Sequence, residues 1–285
     1  MKTKFTISTV FIYLALIGAA IFFSTPAWFA LMNSFKPLAE INQGNVLGIP
    51  SQWTFLPWIE AWSTACTGRT KCEGLLPYFE NSLIVTIPAT IISTLWGSFN
   101  GYLLAKWRFK GSDAVLFLLM FGTFVPAGLF LLPLSIIFHK LALSDSLMGL
   151  VIVHTIYSLP IALFFRNYFL GFPGELIKAA RIDGAGLLTI FWHIVFPTAK
   201  PILVVVAIMQ FTAIWNDFLF ALVLAPSDLQ LVTVGLNNLV NVQDSAPHPN
   251  TYMAAAIIAA VPTTLIYLVA GKYFVRGLTS GAVKG

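Results

Sequence analysis

The chain has 285 residues, 58% of them hydrophobic and only 9% charged, with a formal net charge of +5 and a mean hydropathy of +0.85. Soluble domains carry about 25% charged residues, so this composition excludes an ordinary globular enzyme and points to an integral membrane protein. The positive balance reads as a topology signal and not as a nucleic-acid footprint.

A helix crossing a hydrocarbon layer about 30 Å thick needs about 20 mostly apolar residues. Six runs meet that need: 7–31, 79–105, 114–138, 147–165, 202–224 and 252–274. The first follows Lys2 and Lys4. Its apolar stretch outruns the h-region of a signal peptide and lacks a clear A-x-A site, so a retained helix is expected. Pro26, Pro88, Pro126, Pro133, Pro160 and Pro262 fall inside or near the ends of runs. They read as kinks, which neighbouring helices make tolerable by re-satisfying the freed backbone groups.

The loop 33–78 is long and rich in Trp, Pro and Gly. Its Trp53, Trp58 and Trp62 suit an interfacial belt. Cys66 and Cys72 stand in CTGRTKC with five residues between them. In an oxidising compartment they would close a small disulfide loop; two free thiols are the alternative.

The segment 173–197, PGELIKAARIDGAGLLTIFWHIVFP, is polar and glycine-punctured between strongly apolar neighbours. Pro173 fits a first helical turn, and Glu175 favours the positive end of a helix. Leu176, Ile177 and Ala180 would form a small apolar face, and Ala179 with Ala180 lets another surface come close. Gly184 and Gly186 would turn the chain. A second apolar stretch, 187–195, would then run to Pro197. The expected product is a short helix projecting from the membrane.

In the fifth run Asp217 is the one acid inside a predicted helix away from its ends, in the outer half of the span, Glu80 standing at the very start of the second run. An ionisable residue within a span is a functional candidate by default. With Gln210, Trp215 and Asn216 it offers hydrogen-bonding groups and a ring, which suit a sugar. A structural polar network is the competing reading. The loop 225–250 contains no Lys or Arg, and Asn237, Asn238, Asn241, Gln243 and Asp244 make it polar. The tail 277–285 is small and reads as flexible. The chain has no G-x-x-x-x-G-K-[ST], so ATP hydrolysis would fall to another protein. No metal-ligand spacing is visible. The two sides of the membrane differ in charge: the termini and the loops on their side carry twelve Lys and Arg, the other side only Lys36, Arg69, Lys71 and Lys140. That asymmetry expects both termini in the cytoplasm, with loops 33–78 and 225–250 outside.

Lys178-Ala179-Ala180, then Gly184, then Ile194, Phe196 and Pro197 match in spacing the coupling motif of ABC importer permeases. The chain resembles the carbohydrate, maltose-permease-like branch of that family along nearly its whole length. Further blocks are Asn81-Ser82, the basic loop 106–111, Glu175 with AARIDGA, Trp215-Asn216-Asp217-Phe218 and the tail FVRGLTSGAVKG. Two departures stand out: Lys178 where the motif often has Glu, and Phe196 where it has Leu. Glu175 lies one helical turn before Lys178 and shares its face.

The resemblance implies an all-α integral membrane protein of the type I ABC importer permease fold, a single domain 1–285 with six transmembrane helices and a cytoplasmic coupling helix. It implies ATPase coupling through Glu175, Lys178, Ala179, Ala180, Asp183, Gly184, Ile194 and Pro197. It implies no cofactor in this chain, ATP and magnesium sitting on the ATPase. The partners it implies are a second permease, two ATPase subunits and a sugar-binding protein outside a bacterial inner membrane. A loop from 225–250 would enter that binding protein, and the tail would reach the ATPases. An importer of a non-sugar solute and a proton-coupled transporter are the alternatives.

Overall fold

A computed structural model describes residues 7–68, 72–107, 109–144, 146–241 and 248–282, and these are helical with no strand among them. In chain order the helices are α1 (Ile7–Ser34), α2 (Leu38–Asn42), α3 (Leu56–Ile59), α4 (Leu76–Lys106), α5 (Ser112–Gly122), α6 (Gly128–Lys140), α7 (Leu147–Tyr157), α8 (Ala162–Leu170), α9 (Gly174–Ile182), α10 (Leu187–Ile190), α11 (Phe196–Thr198), α12 (Lys200–Trp215), α13 (Leu219–Leu224), α14 (Val232–Val240) and α15 (Pro249–Ala282). Single π-helical turns follow α3 (Glu60–Thr64) and α10 (Phe191–Val195), and a 3-10 turn, Leu159–Ile161, precedes α8.

The apolar runs are not six unbroken rods. By length and composition three helices can each cross a membrane: α1, α4 and α15 up to Gly271. Two more candidates are bent pairs. α7 and the stretch Leu159–Leu170 meet at 41°, and Leu187–Thr198 meets α12 at 83°. Pro160 and Pro201, each just after its bend, explain where the bends fall, because proline donates no N–H and crowds the preceding turn. The run 114–138 splits into α5 and α6 around Pro126, with turns over 123–127. The run 202–224 splits into α12 and α13 at Asn216–Phe218. The loop 225–250 is partly helical, since α14 carries the chain to Val240. The expected flexible tail continues α15 as far as Ala282, and 283–285 lie outside the described residues.

The chain divides into two compact units, 1–76 with 236–260, and 77–235 with 261–285. In the second unit α4 is the organising helix. Of its twelve buried positions, nine are small, Ser82, Thr86, Ala89, Thr90, Ser93, Thr94, Gly97, Ser98 and Gly101, and the others are Tyr78, Val85 and Tyr102. Between helices in lipid there is little hydrophobic drive, so close backbone approach supplies the packing energy and small residues permit it. A Cβ built on Gly97 would lie 2.3 Å from the Ile161 Cγ2, and one on Gly101 would lie 2.4 Å from the Phe165 Cβ. The same Gly101 Cβ would also stand 2.8 Å from the Ala162 carbonyl and the Arg166 amide nitrogen. Only glycine fits there.

Two apolar clusters flank this helix. One joins Val85, Leu150, Ile214, Phe220, Leu224 and Val234. The other joins Tyr102, Phe165, Phe169, Ile177, Phe191 and Val206. At the start of α4, the Ser82 hydroxyl accepts from the Val232 amide at 2.8 Å, and the Asn81 amide donates to the Gln230 carbonyl at 3.2 Å. The polar Asn81-Ser82 pair thereby fastens the segment leading into α14.

In the first unit a buried lysine does similar work. Lys36 is fully buried, and its Nζ donates to the Asn45 carbonyl at 2.7 Å. The Asn33 amide donates to the Val46 carbonyl at 2.9 Å, and Asn250 donates to the Lys36 carbonyl at 3.0 Å. Cys66 and Cys72 are joined in a disulfide. Beside it Gly74 adopts a φ of +60°, where a Cβ would lie 2.4 Å from the Trp62 carbonyl carbon. The Gly74 and Leu75 amides donate to the Ala65 and Ala61 carbonyls at 3.0 and 2.9 Å, folding the loop back on its π-helical turn.

Candidate coupling surface and polar cavity

α9 is amphipathic in a way that sorts its residues. Ile177 and Ala180 are buried among Phe169, Phe191 and Val195. Glu175, Leu176, Lys178, Ala179, Arg181, Ile182 and Asp183 are exposed. The expected apolar face is therefore two-part: Ile177 and Ala180 glue the helix to its own unit, while Leu176 (49% exposed) and Ile182 (87% exposed) face away. Gly184 adopts a φ of +81°, the left-handed conformation that ends helices and that side chains with a Cβ disfavour. The Ala185 amide closes that turn on the Ala180 carbonyl at 2.9 Å.

Three contacts fix the base of this helix. The Lys106 Nζ donates to the Leu170 and Phe172 carbonyls at 3.2 and 2.8 Å. The Arg181 guanidinium lies 4.0 Å over the Trp107 ring, a cation–π contact. The Tyr168 hydroxyl donates to the Thr198 carbonyl at 3.0 Å. Ile194 is half-buried on the apolar cluster of α8 to α12. Pro197 does not end the second apolar stretch as expected; it lies in the first turn of α11, and the chain carries on through Ala199 into α12.

The residues around the fifth run sort differently. Trp215 is 1% exposed, stacked on Phe211 with centroids 5.7 Å apart and edge-on to Phe79 at 5.2 Å. Its ring is turned into the chain's own packing. Asn216 is exposed, and its amide donates to the Thr212 carbonyl at 2.9 Å. Asp217 does not sit within a helix but in the break between α12 and α13. Its carboxylate accepts from the Ala221 and Phe220 amides at 3.0 and 3.4 Å, capping α13, and its carbonyl accepts from the Thr233 hydroxyl. The sequence signal for this break was an Asp three residues before the apolar Phe220-Ala221, the usual N-cap chemistry.

Asp217 and Gln210 line one cavity of about 380 Å³, together with His154, Tyr157, Ser158 and Phe220. Gln210 also donates to the Ser93 hydroxyl at 3.1 Å. The His154 Nε2 lies 3.7 Å from a carboxylate oxygen of Asp217. Trp215 and Asn216 are not among the lining residues. His154 belongs with this group; its apolar neighbours in the sequence disguise it.

Of the candidates in the loop 225–250, Asn237 and Asn238 fall in α14. Asn241 caps its end, the side-chain amide donating to the Asn237 carbonyl at 2.7 Å. Gln243 and Asp244 lie outside the described residues.

Residues 93–280 match the family described as the binding-protein-dependent transport system inner membrane component. The chain belongs to that family. This permease is 39% identical over 277 residues to a probable ABC transporter permease of Pyrococcus horikoshii, covering 96% of each chain. It is 33% identical to the arabinooligosaccharides transport system permease AraQ of Halalkalibacterium halodurans, with both chains fully covered. A crystal structure of a bacterial ABC transporter involved in the import of the acidic polysaccharide alginate contains a chain of the same fold, with a TM-score of 0.79 at 23% identity. That comparison covers 96% of the permease and all of the other chain.

The permease thus has the type I ABC importer fold and is a membrane subunit of an ABC importer. It is a multi-pass membrane protein and a non-catalytic subunit. Its family works with an ATPase and a substrate-binding protein.

Proposed function

We propose that this permease imports a sugar or sugar-like osmolyte by alternating access, as one half of a permease pair. Two copies of a separate ATPase, holding ATP and magnesium, drive it from the cytoplasm. A sugar-binding protein delivers solute from the other side. The observation that carries the reading is α9: a short helix glued by Ile177 and Ala180, with Glu175, Lys178, Ala179 and Asp183 left for another surface. In this reading those residues meet the ATPase, Gly184 sets the turn, and Ala180, Ile194 and Pro197 hold the helix at its base. The charge asymmetry of the loops supports both termini in the cytoplasm.

The likeness to the arabinooligosaccharides permease over the whole chain supports a saccharide over an amino acid or an inorganic anion. The stretch 236–249, with Asn237, Asn238, Asn241, Gln243 and Asp244, is assigned to the binding protein. The experiment is uptake into proteoliposomes holding the complete transporter and its binding protein. Labelled mono- and disaccharides are compared with amino acids, with and without ATP and with a protonophore. Sugar uptake that needs ATP and ignores the protonophore is expected. Amino-acid uptake alone would overturn the sugar class.

A further inference from the structure

We infer that the cavity beside the α12–α13 break is a solute site within this subunit, taking one neutral polyhydroxylated ring, and that His154 is one of its recognition residues. The inference rests on the sugar reading above and adds to it where the solute sits and what reads it. Buried polar groups in native proteins are nearly always paired. His154 is 4% exposed, and its Nε2 has no hydrogen-bond partner. That nitrogen lies 3.7 Å from the Asp217 carboxylate, beyond hydrogen-bond reach, and both groups line the cavity. A group so placed either carries the cost of an orphaned buried polar atom or is satisfied by something that enters.

The lining says what enters. Asp217 supplies acceptors, Gln210 a side-chain amide whose carbonyl oxygen is left to accept once its nitrogen donates to Ser93, Tyr157 a hydroxyl, and Ser158 a hydroxyl oxygen left to accept because its proton goes to the His154 carbonyl, against the apolar ring of Phe220. Phe220 is held edge-on by both His154 and Tyr157, at 5.7 and 5.3 Å between centroids. Such alternation of donors and acceptors around an apolar wall matches a sugar ring, whose hydroxyls both give and take hydrogen bonds while its C–H face is apolar. An anionic solute does not suit it: the described lining contains no Lys or Arg. A cationic one suits it poorly, because the single carboxylate already accepts from two backbone amides. Ligand pockets run from roughly 300 to 1,000 Å³. At about 380 Å³ this one is at the small end, which limits it to about one ring at a time. A longer saccharide would pass through it ring by ring.

The test uses the complete transporter in proteoliposomes with its binding protein, and reads labelled sugar moved per ATP hydrolysed for glucose, arabinose, xylose, maltose and trehalose. Three variants are compared. Ala213→Trp fills the cavity from α12; His154→Phe keeps volume and removes the polar edge; Asp217→Asn keeps an acceptor for the α13 cap. Ala213→Trp is expected to cut sugar moved per ATP by about tenfold or more while binding-protein-stimulated hydrolysis persists. The other two are expected to cut it several-fold and unequally across the sugars, changing their rank order. Ratios within about twofold of the unaltered transporter for all three variants would overturn the site and leave the sugar reading standing. Hydrolysis and uptake falling together, with loss of assembly, would overturn it in favour of a structural pair. An unaltered transporter that moves none of the five sugars would end the sugar reading, and the site with it.

Discussion

α9 and the α12–α13 break are two places where this apolar chain keeps polar side chains together, and they treat them oppositely. On α9 the apolar side chains Ile177 and Ala180 turn inward, and the polar ones point away from the unit. At the break the aromatic Trp215 turns inward, and the carboxylate of Asp217 closes on backbone amides of its own chain. A polar residue in a membrane protein therefore carries no fixed meaning. What separates the two regions is whether the hydrogen-bonding capacity is spent within the chain or left for a partner.

Substitutions sharpen this contrast, the largest effect first. Trp215→Ala should destabilise the permease by about 3–5 kcal/mol, the usual cost of deleting a buried aromatic, seen as a lower unfolding temperature in detergent. A Trp215 that served only as a sugar platform would leave that temperature unchanged. Gly101→Ala drives a Cβ against backbone atoms at 2.8 Å; overpacking of this kind costs about 1–3 kcal/mol. Its readout is the yield of folded protein. Gly184→Leu should cost about 1–2 kcal/mol for the left-handed turn, yet reduce transport and ATPase copurification far more than that cost accounts for.

Ile182→Ser should change stability by no more than about 0.5 kcal/mol, as surface substitutions do, and still weaken ATPase copurification. An equal loss of stability and copurification would place Ile182 in the fold and erase the contrast. The smallest effect lies in the first unit. The Ser51 amide above all, with the Ser51 hydroxyl, the Gln52 amide and Asn45 behind it, holds the Glu40 carboxyl below the usual carboxylate range, although burial, second in size only to the Ser51 amide, pushes the other way. A carboxyl depressed on folding stabilises above its unfolded value and loses that contribution as pH falls through the folded one. Protease nicking near 40–52 should therefore rise only below about pH 4, and Glu40→Gln should make the nicking pH-independent.

Much of the architecture was legible because lipid permits so few backbone solutions. The apolar runs placed the helical stretches, and the glycines of 173–197 placed α9 and its turn. The breaks were harder. The run 114–138 looks continuous by hydropathy, since the turns over 123–127 are as apolar as the helices beside them; only Pro126 hints at the split. Asp217 read as an acid inside a helix because the apolar residues on both sides of Asn216-Asp217 carry the run across that pair, although its capping of α13 has a recognisable local signature. Trp215 could not be assigned at all without Phe79 and Phe211, which reach it through tertiary packing. His154 carried no signal beyond being a lone histidine in an apolar run, and its relation to Asp217 exists only once α7 packs against α13. The loop 225–250 hid α14 because Asn237, Asn238 and Asn241 suit turns as well as helix ends.

The glycine contact between α4 and α8 bears on how force travels. Gly97 and Gly101 leave no gap against Ile161, Ala162 and Phe165, and a contact between backbones at van der Waals distance has no side-chain rotamers in which to take up slack. Only residues 171–173 separate α8 from α9, and Lys106 at the end of α4 grips the carbonyls of Leu170 and Phe172. A displacement of α9 therefore reaches α4 through a stiff linkage, like a crank keyed to its shaft. In the proposed coupling role, such a joint would conserve stroke length: ångströms applied at α9 would reach the spanning helix with little lost to bending along the way.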